Sequence, residues 1–172
     1  MRNTISLFAL LLLAGCSPIT VHHDYDPNED FSTLRRWAFA SSPTPATGSN
    51  SQVSGLTYDR IRRAIEDQLT LKGYQKLDSN PDFLVRTHAG AGQKLEVEPG
   101  YGYGWGYGNQ VQAVDEGTLV IDILSVKEKR LVWRGTGSGA LDPNLDPEQR
   151  DARIRETVQK ILADFPPKPG SH

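Results

Sequence analysis

The sequence predicts an α+β two-layer sandwich, in which a mixed, mostly antiparallel sheet of about five strands carries two helices on one face. Three observations lead there. Leu56 to Lys72 and Asp146 to Phe165 each show a single apolar stripe at helical spacing. The segments before and between them are short runs with a period of two, or continuously apolar, which together make one wide sheet. A helix with one apolar stripe buries one side only, so the economical arrangement puts both helices on the same face.

At the start of the chain, Arg2 and Asn3 supply positive charge, and Ile5 to Ala14 is almost entirely Leu, Ile, Phe and Ala, the length of a signal-peptide hydrophobic region. A bilayer-crossing helix needs roughly 20 apolar residues, and here Ser17 and Pro18 end the run. Leu13-Ala14-Gly15-Cys16 resembles the lipobox of bacterial lipoproteins, all four positions fitting at the expected distance from the start. That resemblance implies cleavage before Cys16, a diacylglycerol on its thiol and a third acyl chain, of palmitate type, on the new amino group. One chain holds a protein to a membrane only marginally, at about 0.8 kcal/mol per buried methylene, whereas three hold it almost permanently. In enteric bacteria an aspartate after the lipidated cysteine retains a lipoprotein in the inner membrane. Ser17 stands at that position, so the lipobox resemblance implies the outer membrane, on its periplasmic side.

Removing residues 1–15 from the 172 leaves 157, enough for one domain hiding roughly 70% of its unfolded surface. The expected organisation is therefore a signal peptide, 1–15, and a single periplasmic domain, 16–172. Without Arg2 the mature chain has 18 basic and 21 acidic residues, a formal charge of −3, which gives no electrostatic footprint for nucleic acid. Cys16 is the one cysteine, so no internal disulfide is available and stability must come from packing.

The elements follow in chain order. Ile19-Thr20-Val21 begins a β-branched strand that stops at Asp24-Tyr25-Asp26-Pro27. In Leu34 to Ala40, Trp37 and Phe39 share a side opposite Arg36, a half-buried strand. Ser41 to Ser54, rich in Ser, Thr, Pro, Gly and Asn, reads as an exposed loop. The first helix aligns Tyr58, Ile61, Ile65 and Leu69, with Gly73 placed as its left-handed cap. After the turn Asn80-Pro81-Asp82, Phe83 to His88 is a strand with Phe83, Val85 and Thr87 on one side, and Lys94 to Glu98 is a separate short one. In Gly117 to Val126 both faces are largely apolar, which predicts an inner strand covered on two sides. If Lys127-Glu128-Lys129 is the whole turn, Asp122 faces Arg134 across the returning strand Arg130 to Gly135, and Ile123 faces Trp133. Gly137 to Leu145 reads as a loop. Asp146-Pro147-Glu148-Gln149 then supplies a capping acid, a proline at the first helical position and a capping-box glutamine. Ile154, Val158, Ile161, Leu162 and Phe165 form the second stripe, and Pro166-Pro167 ends it. The strands flanking the first helix are expected to lie parallel, joined by a crossover.

Few residues suggest chemistry. His22-His23-Asp24 invites a metal, but adjacent strand residues point to opposite faces and cannot readily share one ion, so no metal or cofactor is expected. Asp122, alone in an apolar strand, would have a raised pKa and could act as an acid or base if unpaired; a salt bridge to Arg134 is the favoured reading. His88 is the only histidine within a predicted core element, and it reads as a surface strand residue. The loop 99–109 contains a strict glycine and aromatic alternation, with Tyr101, Tyr103, Trp105 and Tyr107 as candidate binding residues. It lacks the lysine and hydroxyl of a phosphate-binding loop. Its rings suit stacking on glycan sugars, insertion at lipid headgroups or docking on a partner protein.

Asp24-Tyr25-Asp26-Pro27, Asp30-Phe31-Ser32, Trp37, Lys72-Gly73-Tyr74, Pro81-Asp82, Gly117 to Asp122, Leu131 to Gly135 and Phe165-Pro166, in that order and spacing, resemble a bacterial lipoprotein family known only as domain of unknown function 4136. The resemblance spans nearly the whole mature chain and implies an envelope location without a known activity. The expectation is a non-catalytic binding or assembly module, held to the membrane through Cys16, whose partner is an envelope protein, peptidoglycan or another glycan. The competing readings are a hydrolase of envelope material using Asp122 or His88, and a structural subunit of an envelope complex.

Overall fold

The computed structural model describes residues 18–40, 54–98 and 110–168. Strands β1 (Thr20–Tyr25), β2 (Arg36–Phe39), β3 (Gln75–Lys76), β4 (Phe83–Glu98), β5 (Gln110–Ser125) and β6 (Arg130–Ala140) form one sheet in the order β1-β6-β5-β4-β2-β3. Helices α1 (Gly55–Leu71) and α2 (Pro147–Leu162) pack against each other on one face. The predicted sandwich is therefore the fold, with the two-residue β3 as a sixth strand. Strands β2 and β4, on either side of α1, run parallel as expected, and the pairs within β4-β5-β6-β1 are antiparallel.

Both helices owe their limits to local chemistry. The Ser54 hydroxyl accepts from the Thr57 N–H at the start of α1. At its end Gly73, at φ +85°, lets the Gly73 N–H reach the Thr70 carbonyl and the Tyr74 N–H reach that of Leu69, a Schellman closure. Asp146 and Gln149 form a reciprocal capping box on α2, with Pro147 at the first helical position. Ile61, Ala64, Ile65 and Leu69 of α1 and Val158, Ile161 and Leu162 of α2 are buried on the sheet. Each fully buried aliphatic side chain contributes about 1.5–3 kcal/mol relative to exposure.

The core is graded by size along the strands. At one end Phe165, just beyond α2, lies 5.3 Å from Trp133, 5.4 Å from Tyr74, 5.9 Å from Phe83 and 6.1 Å from Phe31 between ring centres. Toward the other end the strands turn alanine and glycine to the helices: Ala89 and Ala91 of β4, Gly117 of β5, Gly137 and Gly139 of β6. Helix α2 comes down onto these bare positions. A Cβ on Gly135 would stand 2.5 Å from Ile161 Cγ2, and one on Gly137 2.8 Å from Ile161 Cδ1.

Several expectations are corrected. Gly137 to Ala140 belongs to β6 rather than to a loop, since its glycines admit α2 instead of loosening the chain. Phe83 to His88 and Lys94 to Glu98 are parts of one 16-residue strand. Strand β5 is covered by helices on one side only; on the other, Val120 and Leu124 are half-buried. The turn after β5 is four residues, Val126 to Lys129, because Ser125 pairs with Arg130. A bulge at Val132 then shifts the register back, so Asp122 meets Arg134 and Ile123 meets Trp133 as predicted from a three-residue turn.

Strands β4 and β5 outrun their neighbours. Strand β6 pairs with β5 as far as Glu116↔Ala140, and β2 pairs with β4 only at Phe83, Leu84 and Val85. The pairs from Gln93↔Asp115 to Glu98↔Gln110 thus continue as a two-stranded ribbon. Among the described residues, no helix is long and apolar enough to cross a membrane.

Candidate functional site

The sheet face opposite the helices carries a row of alternating charge. Register sets Asp24 of β1 beside Arg134 of β6, Arg134 beside Asp122 of β5, and Asp122 beside Arg86 of β4. Asp122 is 0% exposed although neither α1 nor α2 covers it, and the Arg86 and Arg134 guanidinium groups lie against it. Arg134 donates from Nε to Oδ1 at 2.6 Å and from Nη2 to Oδ2 at 2.9 Å. Arg86 donates to Oδ2 from Nη2 at 3.0 Å and from Nε at 3.3 Å. His88 Nε2 lies 3.8 Å from the same oxygen, beyond hydrogen-bond reach.

Burial pushes the Asp122 carboxyl up, but the hydrogen bonds from Arg134 and Arg86 and then their charges outweigh it, and the group stays ionised below its ordinary value. The same contact raises Arg134. A carboxylate held this way has no proton to give near neutral pH, and both its oxygens are already engaged. The arrangement is the predicted ion pair, widened by Arg86.

From sequence alone Asp82 is only part of a turn. Its carboxylate accepts the backbone N–H groups of Arg35 at 3.1 Å and Arg36 at 2.8 Å and the Arg36 guanidinium at 2.7 Å, fixing the start of β2 against β4. The Arg36 side chain is the main reason its pKa falls to about 2, against the upward push of burial and with help from the two backbone groups. A turn acid followed by a strand, and an arginine beginning the parallel partner, is the signal that could have found it.

Sequence reasoning also missed a cleft of about 400 Å³ on the helix side. It opens where the strands carry alanine and glycine, between the N-terminal halves of α1 and α2, and its walls include Ile19, Ile61, Leu119, Leu141 and Ile154. Asp115, Asp142, Arg150 and Arg153 also line it; the first three are exposed and Arg153 is half-buried. The alternate small residues Ala89, Ala91, Gly117, Gly137 and Gly139 were its trace in the sequence.

Cys16 and the run Tyr101, Tyr103, Trp105 and Tyr107 lie outside the described residues. The strands that the run joins end at Glu98 and Gln110, the outer limit of the ribbon. His22 and His23 do take opposite faces: His22 sits one row from Arg134, and His23 Nδ1 lies 3.6 Å from Asp164. Among the described residues, no group of three or more His, Cys, Asp or Glu is placed to hold a metal ion.

The fold occurs elsewhere. A PDZ domain protein from Parabacteroides distasonis superposes with a TM-score of 0.55 at 19% identity over 88% of this chain; the match covers 36% of that protein, so the chain spans about a third of its length. A protein of the DUF4136 family from Bacteroides thetaiotaomicron gives 0.54 at 16% identity, covering 86% of this chain and 96% of that one. The PelC dodecamer of Paraburkholderia phytofirmans gives 0.50 at 11% identity, covering 85% and 96%. At these identities the likeness is one of fold. No curated protein matches the sequence. A family profile, described as a domain of unknown function (DUF4136), matches residues 21–167, and the chain is therefore a member of the DUF4136 family.

Proposed function

We propose that this protein is a lipid-anchored envelope lipoprotein, held by acyl chains on Cys16 at the periplasmic side of the outer membrane, and that it works by binding or assembly rather than catalysis. The observation that carries the reading is Leu13-Ala14-Gly15-Cys16 at the end of a short apolar run. The geometry of the described residues supports it in two ways. Strand β1 is antiparallel to β6 with Thr20 opposite Ser138, so the chain enters the sheet at the end where β6 stops and the β4-β5 ribbon continues. A short tether from Cys16 would leave that end facing the lipid. Asp122, the sharpest acid-base candidate, is ionised and engaged by two arginines, which supports a non-catalytic role.

The segment assigned to contact is the ring run Tyr101, Tyr103, Trp105 and Tyr107, joined to the ribbon. An assembly role is favoured by the ribbon itself, since a two-stranded hairpin is marginal alone in water and its edges accept further strands. The PelC protein of the same fold is a dodecamer. Intact-mass measurement on protein made by its native host tests the anchor: the expected product begins at Cys16 and carries fatty acyl mass, and one beginning at Met1 without it refutes the reading. Serine at the four ring positions should abolish capture of the envelope partner in whole-cell cross-linking or of peptidoglycan in a pull-down, with the thermal transition unchanged. Undiminished capture removes the role given to the rings.

A further inference from the structure

The cleft lies close to the start of the described chain. Ile19 forms part of its wall, and the Pro18 carbonyl oxygen stands 3.2 Å from where a Cβ on Gly139 would be. Glycine at 139 thus lets the incoming chain lie directly on the end of β6. Cys16 is two residues before Pro18, and each Cα step spans 3.80 Å, so its Cα is within about 7.6 Å of that of Pro18.

The lining says what chemistry fits. Ile61 and Leu119 are buried in its floor, Ile19 and Ile154 are half-buried along its sides, and Leu141 is 46% exposed while its Cδ2 covers Gly117. Asp115, Asp142 and Arg150 are exposed, and the half-buried Arg153 brings Nη2 to 3.3 Å from where a Cβ on Gly139 would be, so charges of both signs border an apolar floor that suits an apolar chain with a polar head. A methylene fills about as much space as a water molecule, near 30 Å³ in the liquid. The cleft of about 400 Å³ therefore takes on the order of a dozen methylenes. That is room for one acyl chain.

We propose that this cleft is the seat of one of the acyl chains carried by Cys16. The inference rests on acylation at that residue. One chain folds back onto Ile19, Leu141 and Ile154 while the others remain in the bilayer. Burial in the cleft and burial in lipid remove the same hydrocarbon from water, so the chain exchanges between the two.

The test uses the full chain, expressed in its native host and kept in its membranes. A photoreactive benzophenone amino acid is placed at Ala91, on the β4 wall of the cleft. After irradiation, digestion and mass spectrometry, the expected product joins the peptide containing position 91 to the acylated peptide that begins at Cys16. The adduct should be lost when the probe moves to Leu71, 79% exposed at the far end of α1, and lost in Cys16→Ser. The same probe at Thr57, on the α1 wall, gives a second route if the substitution at Ala91 does not fold. An adduct to phospholipid or to another polypeptide overturns the proposal, as does no adduct from either wall. Intact mass of the same sample separates the two failures. Absence of acyl mass on Cys16 overturns both the anchor and the seat, whereas acylated protein without the adduct overturns the seat alone.

Discussion

Replacing Asp122 with asparagine keeps its shape and removes its charge. Four charge-assisted hydrogen bonds, from 2.6 to 3.3 Å, would be lost or weakened, and the new amide N–H groups would face guanidinium donors. Breaking a buried ion pair costs about 3–5 kcal/mol when the remaining charge stays buried. Here the remaining charges are Arg86 and Arg134, 34% and 47% exposed, which water can solvate. The expected loss is therefore about 2–3 kcal/mol at pH 7, or roughly 5–10 °C in Tm for a domain of this size. Urea unfolding followed by tryptophan fluorescence should show a lower midpoint with an unchanged slope.

The pH dependence has a definite sign. The folded carboxyl lies below its ordinary value of 3.8, so in the acid range the unfolded chain binds more protons than the folded one. The wild-type advantage is complete above 3.8 and shrinks as pH falls through the folded value. The triple change Asp122→Leu, Arg86→Met, Arg134→Met should recover most of the loss, because removing both sides of a buried pair is nearly neutral. An Asp122→Asn variant within about 0.5 kcal/mol of wild type at pH 7, below the usual cost of even one lost hydrogen bond, would refute the reasoning. So would a difference that is undiminished in strong acid.

Asp82→Asn should cost about 1–2 kcal/mol at neutral pH, after discounting for water at the half-exposed Arg36; the difference from wild type, read by thermal melts across pH, is full above 3.8 and vanishes toward about 2. Gly135→Ala would bring a Cβ to 2.4 Å from Trp133 Cη2 and 2.5 Å from Ile161 Cγ2, both wholly buried, and should lose at least about 1–3 kcal/mol in urea melts. Gly137→Ala meets Ile161 Cδ1 and Cγ1 instead, at 2.8 and 2.9 Å. Ile161→Val removes Cδ1 but keeps Cγ2, so a double-mutant cycle should show partial rescue of Gly137→Ala and none of Gly135→Ala.

The helices were legible because each carries its own limits: a stripe of one period and caps written into Asp146-Pro147-Glu148-Gln149 or Gly73. The parallel pairing of β2 with β4 was legible from the helix between them. The Asp122 to Arg134 contact was read correctly from a turn of the wrong length, since the extra turn residue and the bulge at Val132 cancel. What failed was glycine. In Gly137-Ser138-Gly139 composition says loop, but the reason for Gly137 lies on α2, distant in sequence, whose Ile161 occupies the space a Cβ would need, and Gly139 lies under the Pro18 carbonyl. The break placed between His88 and Lys94 has the same origin, in strand positions kept small beneath a cleft. Arg86 could not be assigned to Asp122 from the chain alone, because β4 and β5 are joined through a long ribbon whose register no local turn signal sets.

The gradient from clustered rings at Phe165 to bare backbone at Gly137 and Gly139 divides the cohesion of the molecule unequally. Phe165 meets four other rings, and opening there requires all of those contacts to part together. At the glycine end the first turns of the helices enter no ring-to-ring contact among the described residues, and the Tyr58 hydroxyl, donating to the Thr87 carbonyl at 2.6 Å, ties α1 to the sheet. Cohesion is thus weighted toward the ring end, while the end where the chain enters the sheet rests on aliphatic side chains laid over bare backbone.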